Sequence, residues 1–164
     1  MAIYHLNAQI IKRGDGHSSV AAMAYRCGLV AIDERTGIKH DYSRKAGIDG
    51  FENLAPVGSP DWMLDPCQLW NQIEAVERRQ KAQLCREVNI ALPRELTPDQ
   101  MKELIRDFVS VEMVGAKNVG ATVAFHHLQS SNPHAHIMLT MRPVVGAKFG
   151  NKEQEFKNGQ SRDW

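Results

Sequence analysis

Residues 122–142 read TVAFHHLQSSNPHAHIMLTMR, and how this stretch folds decides how the rest of the chain is arranged. Thr122 to His127 is β-branched and aromatic, and His136 to Arg142 alternates apolar with polar. Both runs have strand character. Between them Gln129, Ser130, Ser131, Asn132 and Pro133 are turn formers, so the spacing predicts a β-hairpin. Side chains two apart share a strand face. His134 and His136 therefore point one way, and Ala135, Ile137, Leu139 and Met141 point into a core. On the first strand Phe125 belongs in the core, which turns His126 to the opposite side. Antiparallel pairing then sets His126 beside His134 and His136. Three neutral imidazoles converging from adjacent strands suit Zn, Mn, Fe, Co or Ni and leave coordination positions open. The same spacing also fits three unconnected histidines. Parity puts His127 with Val123 and Phe125, on the wrong face for the group.

Working outward, Leu84 to Leu92 alternates weakly as a strand. Val88, Ile90 and Leu92 share one face with Arg86, which falls at the strand margin. Glu87, Asn89 and Ala91 take the other face. Glu87 there is either a carboxylate orienting a metal-bound histidine through its free N–H or a solvent-exposed acid. Thr97-Pro98-Asp99-Gln100 opens a helix with a cap, a proline at the first position and a glutamine at the third. Its stripe is Met101, Leu104, Ile105 and Phe108, and it is expected to end by Gly115. Asp65-Pro66 starts another helix with Leu69, Ile73 and Val76 inward. Its charged end, Glu77, Arg78, Arg79 and Lys81, reads as a solvated face in preference to the alternative, a DNA patch.

Nearer the N-terminus, Ile3 to Lys12 reads as a strand and Arg13 to Gly16 as a turn. Ser18 or Ser19 caps a helix running to Cys27 and stopped by Gly28. Val20, Met23, Ala24 and Cys27 form its apolar stripe, with Tyr25 just off it above Ala21 and Ala22. A hairpin follows over Leu29–Ile32 and Ile38–Tyr42, turning at Gly37. Gly47, Gly50 and Pro56 to Pro60 are read as loop.

The length of 164 residues suits one domain, and 43% hydrophobic with 24% charged residues is ordinary for a globular chain. With 20 basic and 19 acidic residues the net charge is +1, so any nucleic-acid affinity must come from local potential. Cys27, Cys67 and Cys85 are odd in number and far apart, which fits a reducing compartment and neither a disulfide framework nor a zinc finger. No run is long enough to span a membrane, and the alternating N-terminus with Lys12 and Arg13 is no signal peptide. The element order β, α, ββ, α, β, α, ββ predicts an α+β fold, a central antiparallel sheet with packed helices.

The pattern of one histidine, seven residues ending in Asn-Pro, and His-Ala-His before an apolar strand resembles the three-histidine motif of the MobA/MobL family of plasmid relaxases, which are HUH endonucleases. MAIYHLNAQIIKR, HSSVAAMAYRCG and REVNIALPRELT resemble further blocks of that family, in its order. The resemblance implies a relaxase domain over residues 1–145, followed by a polar stretch, 146–164, that is a tail or the start of another segment. It implies nicking and rejoining of one DNA strand at a plasmid origin of transfer. Tyr25 is the implied nucleophile, forming a 5′-phosphotyrosine, and a divalent metal, Mn or Mg in vitro, is held by His126, His134 and His136. The phenol of a tyrosine ordinarily titrates near ~10, so it must lose its proton as it attacks. Candidate DNA contacts are Arg26, Lys39, Arg44 and Lys45. Tyr4, Tyr25 and Tyr42 include no adjacent pair, which implies a single-tyrosine mechanism, with Tyr42 structural or DNA-contacting. Expected partners are single-stranded or locally melted origin DNA, relaxosome accessory proteins and a type IV secretion coupling protein. The expected place is the bacterial cytoplasm, with no membrane insertion. Alternatives are a rolling-circle replication initiator, where the tyrosine follows the histidines, an unrelated three-histidine hydrolase or oxygenase, and a noncatalytic single-stranded DNA-binding module.

Overall fold

The computed structural model describes residues 5–152. Five strands, β1 (Leu6–Lys12), β4 (Ile48–Leu54), β5 (Gln83–Ala91), β6 (Ala121–His126) and β7 (His134–Thr140), form one antiparallel sheet in the order β1-β5-β7-β6-β4. The histidine hairpin is therefore central, with β7 bonded on both sides, to β5 and β6. The register pairs His126 with His134, and Ala124 with His136.

Alternation splits the core in two. Val88, Val123, Phe125, Ile137 and Leu139 face one way and pack on Met101 and Ile105 of α3 (Pro98–Phe108). Cys85, Ala124 and Met138 face the other way, against Val20 and Met23 of α1 (Ser19–Cys27) and Leu69, Trp70 and Ile73 of α2 (Pro66–Val76). The prediction of an α+β fold with an antiparallel sheet and packed helices is borne out. The second face is core only towards one end. Towards the other end it carries Glu87, His126, His134 and His136.

The helix ends follow local chemistry. Ser18 Oγ accepts from the amides of Val20 and Ala21, and Gly28 closes α1 in the left-handed region at φ 67°. Asp65 caps α2, with Pro66 at its first position. Thr97 and Gln100 cap α3 reciprocally, an arrangement whose loss costs about 1 kcal/mol. Gly115 does not end that helix. After Phe108 the chain widens into a π-helical stretch, Val109–Gly115, which keeps Val109, Met113 and Val114 in the core. The helical course then runs on to Asn118, whose φ of 55° stops it. Asn is among the few non-glycine residues that visit this region readily.

Three other expectations change. The glycine-bearing stretch after Tyr42, read as loop, contains β4, an edge strand on β6 with a register shift between Ile48 and Phe51. The expected hairpin before it is present, β2 (Val30–Asp33) pairing with β3 (Ile38–Asp41) as its own small sheet beside α1. Glu77 is not on a solvated face. It is buried, and its carboxylate takes Arg142 at 2.7 Å and Lys152 at 3.0 Å. The polar stretch after Val145 is part of the fold as far as Lys152. β8 (Val144–Val145) pairs with β9 (Lys148–Phe149), and Phe149 packs edge-on against Trp62. Residues 153–164, and Ile3 and Tyr4, lie outside the described residues. Arg86 sits mid-strand, buried at the face parity assigned to it.

Candidate active site

His126, His134 and His136 come together as the alternation predicted. One ring nitrogen from each lies within 4.8 Å of the others. The ring centroids stand 4.6 Å apart for His126 and His136, and 5.1 Å apart for His134 and His136.

Each ring also has a nitrogen near an oxygen. His126 Nε2 lies 2.6 Å from the Arg26 carbonyl, and His134 Nδ1 lies 2.8 Å from the Asn132 carbonyl. A carbonyl only accepts, so each of these nitrogens carries the proton. That leaves His126 Nδ1 and His134 Nε2 with a free lone pair. His136 Nδ1 is buried and 3.4 Å from Glu87 Oε2, an electrostatic contact without a formed hydrogen bond. Neutral imidazoles with one nitrogen held by an oxygen and the other lone pair free are what a metal site requires, and three of them converge here, so the donor set fits a divalent ion. Burial pushes His126 down to about 4 and lowers His134, against the pull of their backbone acceptors. Both rings are thus held in the neutral form that ligates.

Glu87 anchors this cluster to its neighbours. Burial alone would raise its carboxyl, but His136, Arg26 and Gln9 hold it down at about 2. Gln9 Nε2 donates to it at 2.7 Å, and Arg26 Nε donates to the other oxygen. Gln9 escaped the sequence reading. It was legible as the polar member between Asn7 and Ile11 on one strand face, opposite Glu87 in the register.

α1 brings its last turn against the histidines. The Arg26 carbonyl receives His126, and Tyr25 is the preceding residue. Tyr25 is 49% exposed, with the Tyr42 ring edge-on at 5.2 Å. Lys45 Nζ sits 3.3 Å above the Tyr25 ring centroid and donates to the Tyr25 carbonyl at 2.9 Å. Of the expected DNA contacts, Arg26 and Lys45 thus belong to the site, and Arg26 is tied to Glu87. Lys39 and Arg44 are exposed, with no described contact to Tyr25 or the histidines.

His127 departs from the parity argument. β6 ends at His126, and His127 turns left-handed at φ 53°. Its ring therefore swings to the side of the cluster and stacks on His134 at 5.8 Å, although it is not one of the converging three. Its amide bonds the Gly47 carbonyl at 2.9 Å, and a Cβ at Gly47 would come within 2.3 Å of the His127 ring. Gly47 also has φ 81°, so glycine is required there on both counts.

The MobA/MobL family profile matches residues 17–163. The chain is 40% identical over 163 residues to the conjugal transfer protein TraA of Agrobacterium fabrum, a match covering 93% of this chain and 15% of that protein. It is 43% identical over 126 residues to the mobilization protein MobL of Acidithiobacillus ferridurans, covering 77% of this chain and 32% of the relative. A solved structure described as the molecular basis of vancomycin resistance transfer in Staphylococcus aureus superposes with a TM-score of 0.87 at 30% identity, covering 99% of this chain and 82% of that one. The chain thus spans about 15% of the length of the TraA proteins it matches.

Proposed function

This chain belongs to the MobA/MobL family, and from that premise we propose that it is the nicking domain of a relaxase. In this reading it cuts and rejoins one strand at a plasmid origin of transfer and so starts conjugative transfer or mobilisation. The observation that carries it is the meeting of the Tyr25 turn with the histidine cluster through the Arg26 carbonyl and His126. A lone three-histidine site would suit many reactions. A half-exposed tyrosine one residue from a ligand's anchor suits attack on a phosphate held there.

The Tyr25 oxygen attacks the scissile phosphorus as the phenol loses its proton. The bond from phosphorus to the 3′-oxygen breaks, and that oxygen leaves and gains a proton. The 5′-phosphate remains on Tyr25. Attack by a 3′-hydroxyl reverses these changes and reseals the strand, with the phosphoester energy conserved and no ATP consumed. A divalent ion on His126, His134 and His136, Mn²⁺ or Mg²⁺ in vitro, would polarise the phosphate and offset the charge that develops on it. Glu87 orients His136, and Arg26 orients both Glu87 and His126. Lys45 holds the Tyr25 ring and lies close enough to the site to meet a phosphate oxygen.

The domain in this reading reaches at least Lys152, since Lys152 ties to Glu77. Its partners are single-stranded or locally melted origin DNA, relaxosome accessory proteins and a coupling protein of the secretion channel, in the bacterial cytoplasm. Among the described residues no helix is long and apolar enough to cross a membrane.

The test is Tyr25→Phe, which removes one oxygen and keeps the ring. Both proteins are incubated with Mn²⁺ and single-stranded origin DNA and run on denaturing gels. The unmodified chain should give a shifted covalent species and the variant none, with metal binding retained. An adduct with the variant would move the nucleophile elsewhere, to Tyr42 or Tyr4.

A further inference from the structure

A groove opens beside Tyr25, with Gln9 and Arg26 also in its wall. It runs between β1 and α1 towards the Gly14–Gly16 turn, over the small side chains of Ala21 and Ala22. The nine residues of α1 give it a length of roughly 13 Å at 1.5 Å per residue. Tyr25 and Tyr42 close one end. Lys12, His17 and Lys81 line the other.

Several cations of the fold are held in ion pairs. Arg13 and Arg35 are taken by Glu74, Arg142 and Lys152 by Glu77, Arg106 by Glu52, and Arg26 by Glu87. The side chains of Lys12, His17 and Lys81 have no hydrogen-bond or ion-pair partner among the described residues. No carboxylate is among the described side chains that line the groove. Cations without a partner among the described residues, in a concave channel with no described carboxylate, concentrate a polyanion there. An aromatic pair at one end with cations spaced along the wall is the arrangement that holds a single strand without reading its sequence.

We propose that this groove is the track of the single DNA strand on one side of the nucleophile, with Lys12 and Lys81 as phosphate contacts and Tyr42 as a base-stacking platform. The proposal rests on the relaxase reading and goes beyond it, because it assigns the strand a course between β1 and α1 past Lys12 and Lys81 and not over Lys39 and Arg44. The lysines it invokes have no partner among the described residues, so binding breaks no ion pair described in the fold.

The test uses the Mn²⁺-loaded chain and a fluorescein-labelled oligothymidylate, titrated at several salt concentrations. Each phosphate contact on a single strand contributes roughly 0.7 to the slope of log Kd against log salt, so Lys12→Gln/Lys81→Gln should flatten that slope by about 1.4. Lys12→Arg/Lys81→Arg should retain it, and so should Lys39→Gln/Arg44→Gln. An unchanged slope in the glutamine variant, or absence of binding by the unmodified chain, overturns the groove. The relaxase reading is judged separately by the covalent adduct. An adduct with an unchanged slope sinks only the groove, and a flattened slope with no adduct sinks only the relaxase reading.

Discussion

Lys45 places its ammonium 3.3 Å over the ring centroid of Tyr25 while the same nitrogen donates to the Tyr25 carbonyl at 2.9 Å. One side chain thus clamps both the ring and the backbone of the proposed nucleophile. A cation over an aromatic face is worth about 0.5–2 kcal/mol, depending on how dry the contact is. Lys45→Met should leave folding intact and slow adduct formation on the order of tenfold at saturating DNA, the rate equivalent of ~1.4 kcal/mol. Lys45→Arg should recover part of the rate. An unaltered rate in Lys45→Met would mean that the clamp has no part in the reaction.

The histidines should separate by chemistry and not by exposure. His126→Ala removes a ligand and the link to Arg26, so Mn²⁺ binding measured by calorimetry should be lost together with the adduct. His127→Ala should keep most of both, because its ring stacks on His134 without joining the converging three. Equal losses in the two variants would make His127 a ligand.

Glu87→Gln preserves shape and removes the charge facing His136. Loss of a partner that orients a ligating histidine usually weakens metal affinity by about 10–100-fold. The same substitution leaves Arg26 facing a neutral amide, so the adduct rate should fall even at saturating Mn²⁺. Calorimetry and a single-turnover adduct assay read the two effects separately, and unchanged Mn²⁺ affinity would count against the orienting role.

Arg13 lies in the core of a different network. Its guanidinium reaches the Glu74 carboxylate at 2.5 Å and the carbonyls of Glu74, Glu77 and Arg79. Ser19 also donates to Glu74, so the pair joins β1, α1 and α2. Arg13→Met would leave a buried carboxylate with only part of its partners. Breaking one side of a buried pair costs about 3–5 kcal/mol, and denaturant unfolding should show a loss of that order. A loss under about 1 kcal/mol would mean the network is no stronger than a surface pair.

All three thiols are free. Burial pushes Cys27 up to about 12 and raises Cys85 further, and Cys67 is raised as well. Since the thiolate is the nucleophile, the native chain should alkylate slowly at neutral pH and faster as pH rises. Cys67, the least buried, should react first. Mass mapping after iodoacetamide treatment checks the order, and early labelling of Cys85 would show that the core opens.

Local chemistry made much of this molecule legible. Ser18, Gly28, Asp65-Pro66 and the Thr97–Gln100 box end helices by satisfying backbone groups a few residues away, so their meaning is contained in short spacings. The period of two likewise assigned His126, His134 and His136 to one side and Phe125 and Ile137 to the other. Tertiary structure decided what those rules do not reach. β4 is a strand only because β6 offers it an edge, for its glycine and mixed side chains carry no alternation of their own. Glu77 is buried because Arg142 and Lys152, far along the chain, fold back to neutralise it. His127 escapes parity because its backbone turns left-handed at the strand end, against a glycine 80 residues earlier. Tyr25 gains its place from Lys45 and from the meeting of Arg26 with His126, a contact across 100 residues. Spacing along a chain encodes which face a side chain takes. Only the packed fold determines which distant group waits on that face.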